Sequence, residues 1–288
     1  MDKAQVDTIR YWVRGVLVML TALTTLSIHG QTYERSDSLT VCRLLQEAPQ
    51  GVVTLWFARQ FLNVPYVAGT LEVNSQEQLV VNTRQLDCTT LVETVAALQI
   101  CARQGRRQWN DYLEALRRLR YRDGLINGYP SRLHYFSDWI RDNVKKQLVV
   151  EVQQPVPPFS AVQQIEASYM SSHPQTYRAL RENPSLIDDI RSQEQSLSKT
   201  KARYIPKQAI SNTALMRRTI QNGDIIAITT SKPGLEIAHL GFAVWQRDGL
   251  HLFNASQLHK KVIEEPMTLR RYMQKHPTFT GIRIIRIK

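Results

Sequence analysis

The chain has 288 residues, a formal net charge of +12, 43% hydrophobic residues and 22% charged residues. This composition is typical of a globular protein of one large domain or two small ones, and it excludes a largely disordered chain. The positive charge would suit nucleic acid or another acidic polymer, but the basic residues are scattered without zinc-finger or RNA-binding spacing, so we expect no nucleic-acid partner. The densest basic clusters, residues 103–107 and 117–122, lie on helical patterns and are interpreted as solvated faces.

The first 30 residues have the pattern of a secretory signal peptide. Lys3, Arg10 and Arg14 precede an uncharged apolar run, residues 15–28, which is shorter than the roughly 20 residues that span a bilayer. A retained membrane anchor or a buried first helix is the alternative. Cleavage would leave a protein that starts near Gln31, has no stable membrane span and works in the periplasm or cell envelope.

The predicted elements, in chain order, place helices first and strands later. Helical patterns cover residues 38–62 (two short helices), 88–103, 106–121 and 135–144, and a polar helical insertion follows at 166–199 as a lid or an outer layer. Residues 63–69 predict a turn into an extended piece, residues 71–86 a polar loop or short strand, and residues 148–164 a short strand with a Pro-rich connection. From Tyr204 onward, strand patterns appear at residues 225–228, 239–245, 250–255 and 281–287. This order predicts an α+β fold with a mostly antiparallel sheet, as a single domain over residues 31–288 with helical insertions near 105–147 and 160–200.

The start of the helix at residues 88–103 carries the main chemical signal. Asp87 can act as its N-cap, or Thr90 and Glu93 can form a capping box one turn later. In both cases Cys88 lies in or beside the first turn, where unpaired N–H groups and the helix dipole favour an anion and lower a thiol pKa. We therefore interpret Cys88 as a nucleophile. The alternative is a buried packing cysteine, which is the interpretation of Cys101 from its place in the apolar stripe.

Cysteine count is consistent with that interpretation. Cys42, Cys88 and Cys101 follow the predicted signal peptide, and an odd number in an exported protein leaves at least one free thiol. Whether Cys42 pairs with Cys101 is left open by the sequence.

A loop between the helical segments is rich in aromatic, Arg and His residues. Tyr129, Arg132, His134 and Tyr135 lie there, a mixture that suits a polar, ring-shaped ligand. An aromatic anchor in the core is the alternative for Tyr135 and Trp139.

The strand at residues 239–245 supplies the candidate general base. His239 lies at the start of the strand, on a face with small residues, which predicts an open cleft over that face. Leu240, Phe242 and Val244 share the opposite, hydrophobic face. A four-residue loop at 246–249 would pair Trp245 with Leu250 and bring Asn254 and Ser256 to the histidine's face. Either side chain could orient the imidazole, whereas His251 faces away and is interpreted as structural.

A cysteine followed by a histidine and an amide is the arrangement of papain-type hydrolases. The histidine takes the thiol proton, the amide holds the ring, and the sulfur attacks a carbonyl carbon. The backbone N–H of Cys88 would help to bind the oxyanion.

These residues resemble the NlpC-type cell-wall cysteine peptidases. The resemblance rests on the segments 86–92, 223–225 and 239–241 and on Pro-Tyr-x-x-Gly at 65–69. The segments 129–139 and 204–207 are similar to the branch described as N-acetylmuramoyl-L-alanine amidase-like.

The resemblance implies a papain-like core in which the helix bearing Cys88 packs on an antiparallel sheet or small barrel. It also implies cleavage of the amide between N-acetylmuramoyl and L-alanine in peptidoglycan or muropeptides. The implied substrate contacts are Tyr66, Asp87, Tyr129, Arg132, His134 and Ser256. The third catalytic position departs from the branch pattern, since Asn254 stands where histidine is frequent, and Asn254 and Ser256 both stay candidates for it.

Two other functions remain open from the sequence. A stem-peptide endopeptidase would keep the nucleophile and cut a different bond, and a non-catalytic wall-binding module would keep only the fold. We expect no metal or cofactor, because the histidines are dispersed without ligand spacing. The oligomeric state is not predicted.

Overall fold

The computed structural model describes residues 30–288, so the predicted signal peptide lies outside the described residues. The helices are α1 (Arg35–Glu47), α2 (Thr54–Arg59), α3 (Cys88–Arg103), α4 (Trp109–Arg120), α5 (Phe136–Lys145), α6 (Tyr169–Ser172), α7 (Arg178–Glu182), α8 (Leu186–Leu197), α9 (Ala214–Thr219) and α10 (Leu269–Gln274). The strands are β1 (Gln31–Thr32), β2 (Leu79–Val80), β3 (Val149–Val152), β4 (Ala161–Gln164), β5 (Lys201–Pro206), β6 (Ile225–Thr230), β7 (Ile237–Trp245), β8 (Leu250–Ser256), β9 (Lys261–Glu264) and β10 (Phe279–Ile287).

One antiparallel sheet organises the fold. Its strands run in the order β4-β5-β10-β6-β7-β8-β9, and β3 pairs with the end of β10. Strands β1 and β2 form a separate parallel pair. The mixed α/β architecture with an antiparallel sheet agrees with the predicted α+β class.

The sheet is buried on both faces. On one face, α3 packs against the β-strand side chains Phe242, Phe253 and Ile285 in the largest hydrophobic cluster. On the other face, α9 and α10 cover Ala243 and Leu252 in a second cluster. The expectation of an open cleft along the His239 face is therefore wrong over most of β7, because two helices that the sequence analysis did not predict occupy that side. At the His239 end of the strand, a cavity remains.

Helix α3 is more deeply buried than one apolar stripe predicts. Every residue from Thr90 to Cys101 is buried, including Glu93 and Gln99. Glu93 is compensated by Arg120, whose Nε lies 2.6 Å from the Glu93 carboxylate with both side chains nearly inaccessible. The interpretation of residues 117–122 as a solvated face is thus wrong at Arg120, which also donates to the Val80 carbonyl.

The polar insertion at residues 166–199 carries its own small core. Leu180, Ile190 and Leu197 pack with Met170 and with Tyr135 from the loop before α5. The hydroxyl of Tyr135 donates to the Glu194 carboxylate at 2.7 Å and accepts from the Met170 N–H. These contacts fix the insertion to the aromatic loop, and they make Tyr135 an anchor, as the second interpretation of that residue proposed.

Three further observations bear on the sequence predictions. Cys42, Cys88 and Cys101 are all free thiols. Over residues 30–288, no helix has both the length and the apolar character needed to cross a bilayer. Within the same range, the structure contains no group of three or more His, Cys, Asp or Glu placed to hold a metal ion.

Candidate active site

Asp87 sets the position of Cys88 by starting α3. The Asp87 carboxylate accepts from the Thr90 N–H at 2.8 Å, and the Thr90 hydroxyl accepts from the Asp87 N–H at 2.9 Å. Of the two predicted helix starts, the structure has the first, so Cys88 is the first residue of the helix. An N-cap with both bonds fixes the direction in which the chain enters the helix, and hence the place of the sulfur.

The loop before α3 is held against β9. Tyr66 donates its N–H to the Lys260 carbonyl and pairs with Leu86, directly before Asp87. Burial, together with the neighbouring Cys88 and Asp87, raises the pKa of the Tyr66 phenol to about 12. Tyr66 and Asp87, two predicted substrate contacts, therefore lie beside the sulfur.

Cys88 and His239 line the same cavity, which has a volume of about 180 Å³. Its walls come from four parts of the chain: residues 88–89, 134–136, the insertion (Met170 and Tyr177) and 235–240. Among the predicted substrate contacts, His134 lies in this wall. The cavity is large enough for a small part of a substrate and has the nucleophile candidate and the base candidate in one space.

His239 is held by Asn254. The predicted hairpin register is present, with Trp245 opposite Leu250 and Phe242 opposite Phe253. The Nε2 atom of His239 lies 2.9 Å from the Asn254 Oδ1 atom. Since a carbonyl oxygen only accepts, Nε2 carries the proton and Nδ1 is left with a lone pair.

Ser256 has a different role from Asn254. Its hydroxyl accepts from the His259 N–H at 3.3 Å and so closes the turn after β8. Of the two candidates for the third position, Asn254 is the one whose side chain bonds to the imidazole. His251, which faces away, is bonded through both ring nitrogens, to the Glu265 carbonyl and the Asp248 carboxylate.

Gly241 in the His-x-Gly segment is required by close packing of the hairpin. A Cβ atom there would lie 2.5 Å from the Phe253 carbonyl oxygen and 2.7 Å from the Leu252 side chain. Any larger residue would push β8 away and carry Asn254 with it. The glycine thus keeps the amide within reach of His239.

The resting thiol is less acidic than the sequence predicts. Burial, together with the Asp87 charge, raises the pKa of Cys88 to about 12 against the opposing effect of hydrogen bonds from Leu240 and Thr89. Burial also lowers the pKa of His239, although Asn254 opposes that shift. The prediction of a lowered thiol pKa is wrong because desolvation outweighs the helix terminus, and the two groups are a neutral thiol and a neutral imidazole at pH 7.

His134 is neutral for a similar reason. Its Nε2 atom lies 2.9 Å from the Tyr129 carbonyl oxygen, and burial lowers its pKa to about 3. The Arg132 charge contributes to this lowering of the pKa. His134 therefore offers a neutral ring, with Nδ1 as an acceptor, to anything in the cavity.

Tyr129 and Arg132 lie behind His134 and are not in the wall of this cavity. The Tyr129 ring packs on the His134 ring at a centroid distance of 4.3 Å. Arg132 is buried, bonds to the Glu72 carboxylate, lies 3.6 Å from the Glu77 carboxylate and stacks over Tyr129. These contacts correct the expectation that Arg132 reaches a substrate, because its guanidinium is occupied by two carboxylates.

Sequence reasoning missed several residues of the site. Glu236 lies in the cavity wall and accepts from the Ser137 N–H at 2.8 Å, which caps α5. Glu265 is buried and accepts from the Asn254 amide. Neither glutamate belongs to a recognisable sequence motif. Met170 and Tyr177 lie in the insertion, which the sequence analysis interprets as a lid or an outer layer.

Solved structures of several bacterial proteins are similar to this chain. A solved N-acetylmuramoyl-L-alanine amidase from Bacteroides uniformis is 39% identical over 82% of this chain and 97% of its own, with a TM-score of 0.76. A Bacteroides fragilis protein named a putative xylanase has the same identity and TM-score over 81% of this chain and 100% of its own. A Legionella pneumophila protein, 22% identical with a TM-score of 0.65 over 88% of this chain and 94% of its own, is similar in fold alone.

Sequence comparison gives the same result at the level of the family. No curated protein matches the chain significantly. A family model described as N-acetylmuramoyl-L-alanine amidase-like matches residues 56–282, which include α3, the insertion and the β7–β8 hairpin. The chain belongs to the N-acetylmuramoyl-L-alanine amidase-like family.

Proposed function

We propose that this protein is a cysteine hydrolase that cleaves the amide between N-acetylmuramoyl and L-alanine in peptidoglycan or its fragments. Cys88 is the nucleophile, His239 the general base and Asn254 the residue that orients the imidazole, within a papain-like, NlpC-type core. The observation that carries the proposal is the cavity shared by Cys88 and His239, with Asn254 bonded to the far nitrogen of the ring.

The neutral resting pair makes proton transfer part of the first step. As the sulfur approaches the lactyl carbonyl carbon, its proton passes to His239 Nδ1, a C–S bond forms, and the carbonyl becomes an oxyanion. The Cys88 N–H at the start of α3 is the donor available to this oxyanion. The Asn254 Oδ1 atom, already bonded to Nε2–H, stabilises the imidazolium that results.

The second half of the reaction returns the enzyme to its starting state. The imidazolium gives its proton to the nitrogen of L-alanine, the C–N bond breaks, and the peptide leaves with a free amino group. Water then loses a proton to His239 and attacks the thioester carbon, the C–S bond breaks, and the sulfur takes the proton back from the imidazolium. The products are a muramoyl carboxylate and a peptide that begins with L-alanine.

The cavity wall does not favour the glycosidase chemistry suggested by the name of one relative. Glycosidases use two carboxyl groups on either side of the scissile bond. Among the described residues that line the cavity, Glu236 is the one carboxylate, and its two oxygens accept from the Ser137 and Ile237 N–H groups. A thiol, an imidazole and an amide fit acyl transfer better.

The proposed location follows from the substrate. Peptidoglycan lies outside the cytoplasm, and the sequence pattern of residues 1–30 is that of an export signal. We place the protein in the periplasm or cell envelope after cleavage near residue 30. Tyr66, Asp87 and His134 are the proposed contacts to the glycopeptide around the sulfur.

Product analysis tests the proposal. The protein and its Cys88→Ala variant are incubated with an N-acetylmuramoyl tripeptide, and the products are identified by mass. We expect N-acetylmuramic acid and a tripeptide headed by L-alanine from the parent protein and neither from the variant. Fragments cut within the stem peptide would replace the proposal with an endopeptidase, and binding without any cleavage would replace it with a wall-binding module.

A further inference from the structure

The side of Asn254 that faces away from His239 is held by a buried carboxylate. The Asn254 Nδ2 atom lies 3.1 Å from the Glu265 Oε1 atom. Glu265 has a relative exposure of 1% and Asn254 of 0%. Burying a carboxylate costs free energy unless hydrogen bonds within the protein replace its lost hydration.

The backbone of Glu265 is fixed as firmly as its side chain. Its N–H donates to the Leu252 carbonyl at 2.8 Å, and its carbonyl accepts from His251 Nδ1 at 2.9 Å. The second carboxylate oxygen, Oε2, lies 3.6 Å from His259 Nε2 on the turn after β8. Glu265 therefore has little freedom to rotate away from Asn254.

The chemistry of a carboxylate determines which way the Asn254 amide points. An ionised carboxylate only accepts hydrogen bonds, so it requires the NH₂ end of the amide. The amide oxygen must then face His239, and an amide oxygen requires a proton on Nε2. The chain of contacts leaves Nδ1 of His239 unprotonated, which is the nitrogen that the proposed reaction uses.

We propose that Glu265 is a positioning residue for the catalytic pair: it holds the Asn254 amide in the one orientation that keeps His239 in its reactive tautomer. This proposal rests on the proposed function for the use made of Nδ1, although the tautomer itself is a property of the free protein. Without an acceptor-only partner, the amide can rotate by 180° and present NH₂ to Nε2. The ring would then carry its proton on Nδ1 and could no longer accept one from Cys88.

The groups that face Glu265 come from each element around it. Besides Asn254, His251 and His259, the charge of Glu265 acts on His239 of β7 and on Tyr272 and His276 at α10. No Lys or Arg forms a salt bridge with the Glu265 carboxylate within residues 30–288, whereas the adjacent Glu264 lies 3.3 Å from Arg59. The contact of its carboxylate with the Asn254 amide, at 3.1 Å, is shorter than the one with His259, at 3.6 Å.

Glu265→Gln tests this proposal most directly. It keeps the shape and packing of the side chain, but its amide can both donate and accept hydrogen bonds. A glutamine amide can accept from Asn254 or donate to it, so both orientations of Asn254 become available. We expect ¹⁵N NMR of histidine-labelled, substrate-free protein to show His239 with the proton on Nε2 in the parent and a mixture of both tautomers in the variant. With the muropeptide substrate, kcat should fall about fivefold or more at unchanged KM.

Glu264→Gln is the matched control, since it makes the same change one residue earlier, at a carboxylate that bonds to Arg59 and Gln246. It should leave both the tautomer and kcat unchanged. A Glu265→Gln protein with only Nε2–H on His239 and kcat within twofold of the parent overturns the proposal.

If Glu265→Gln does not fold, or if the muropeptide is not the substrate, the NMR measurement on the parent protein still tests the proposal. In the parent protein itself, His239 must carry its proton on Nε2 at pH 7, and a proton on Nδ1 overturns the proposal without any variant. Because the NMR measurement uses no substrate, a failure to cleave muropeptides contradicts the proposed function alone and leaves the tautomer result to decide on Glu265.

Discussion

At the scale of single residues, the main finding is a thiol whose surroundings oppose ionisation. Asp87 starts the helix that carries Cys88, and the same carboxylate disfavours a thiolate next to it. The helix terminus and the Leu240 N–H act in the other direction but are outweighed by burial. In this arrangement the sulfur becomes nucleophilic when its proton passes to His239, and no thiolate is needed in the resting state.

Alkylation measures this directly. We expect the rate of Cys88 modification by iodoacetamide to rise about tenfold per pH unit between pH 7 and 10 without reaching a plateau, because burial raises the pKa of Cys88 to about 12 and the reacting species is the thiolate. Mass analysis of the Cys88 peptide separates it from Cys42 and Cys101. A rate that is already maximal at pH 6 would indicate a thiolate–imidazolium pair and contradict this expectation.

The third catalytic position can be resolved by two conservative substitutions. Asn254→Ala removes the partner of His239 Nε2, so we expect kcat to fall at least about tenfold with KM little changed. Ser256→Ala removes only the hydroxyl that accepts from the His259 N–H and should keep kcat within about twofold. Steady-state kinetics on a muropeptide compares them, and the reverse ranking would assign the position to Ser256.

At the scale of elements, the burial of α3 explains what the sequence predicts and what it does not. The N-cap at Asp87 and the end near Arg103 follow from local patterns, and both are correct. The full burial of Glu93 does not, because a charged residue on a helix is ordinarily solvated until its partner is known. Arg120 lies on another helix, 27 residues away, and no local pattern connects the two.

The Glu93–Arg120 pair should be the strongest single ion pair for stability. Glu93→Gln leaves the Arg120 charge buried without a counter-charge, so we expect the free energy of unfolding to fall by about 3–5 kcal/mol in urea titrations. Glu47→Gln is the control, since the Arg43–Glu47 pair is about half exposed. Its loss should cost less than about 1 kcal/mol, and equal losses in the two variants would contradict the argument.

In the hairpin β7–β8, too, the local sequence predicts the strand pairing but not the packing of elements that are distant in the sequence. Its register follows from loop length and alternation, and the predicted pairing of Trp245 with Leu250 is confirmed. The covering of its other face by α9 and α10 depends on helices that are each six residues long. Weak periodicity over six residues gives no signal, so the open cleft was predicted where the structure has a core.

At the scale of the whole molecule, acid should destabilise the fold through His134. Burial lowers its pKa to about 3 in the folded protein, while an unfolded histidine titrates near 6.5. Between these values the unfolded chain binds more protons, so stability is present above pH 6.5 and is lost as the pH falls. The contribution of this group has a limiting slope of about 1.4 kcal/mol per pH unit.

Urea unfolding at pH 7 and pH 5 tests the direction of this pH dependence of stability and its assignment to His134. The parent should lose stability at the lower pH, and His134→Gln should lose less, because a neutral amide has no proton to gain. His173→Gln, an exposed histidine on the insertion, is the control and should behave as the parent. A His134 variant with the same pH dependence as the parent would contradict the argument.

The walls of the cavity also have a consequence for how the protein comes into being. They are contributed by stretches that extend from Cys88 to Leu240, and the Asn254 and Glu265 side chains that support the imidazole come later still. After the helix that carries Cys88 is complete at Arg103, the ribosome must still add about 136 residues before it reaches His239, the proposed base. The proposed hydrolytic activity therefore requires the last quarter of the polypeptide, where His239, Asn254 and Glu265 all lie.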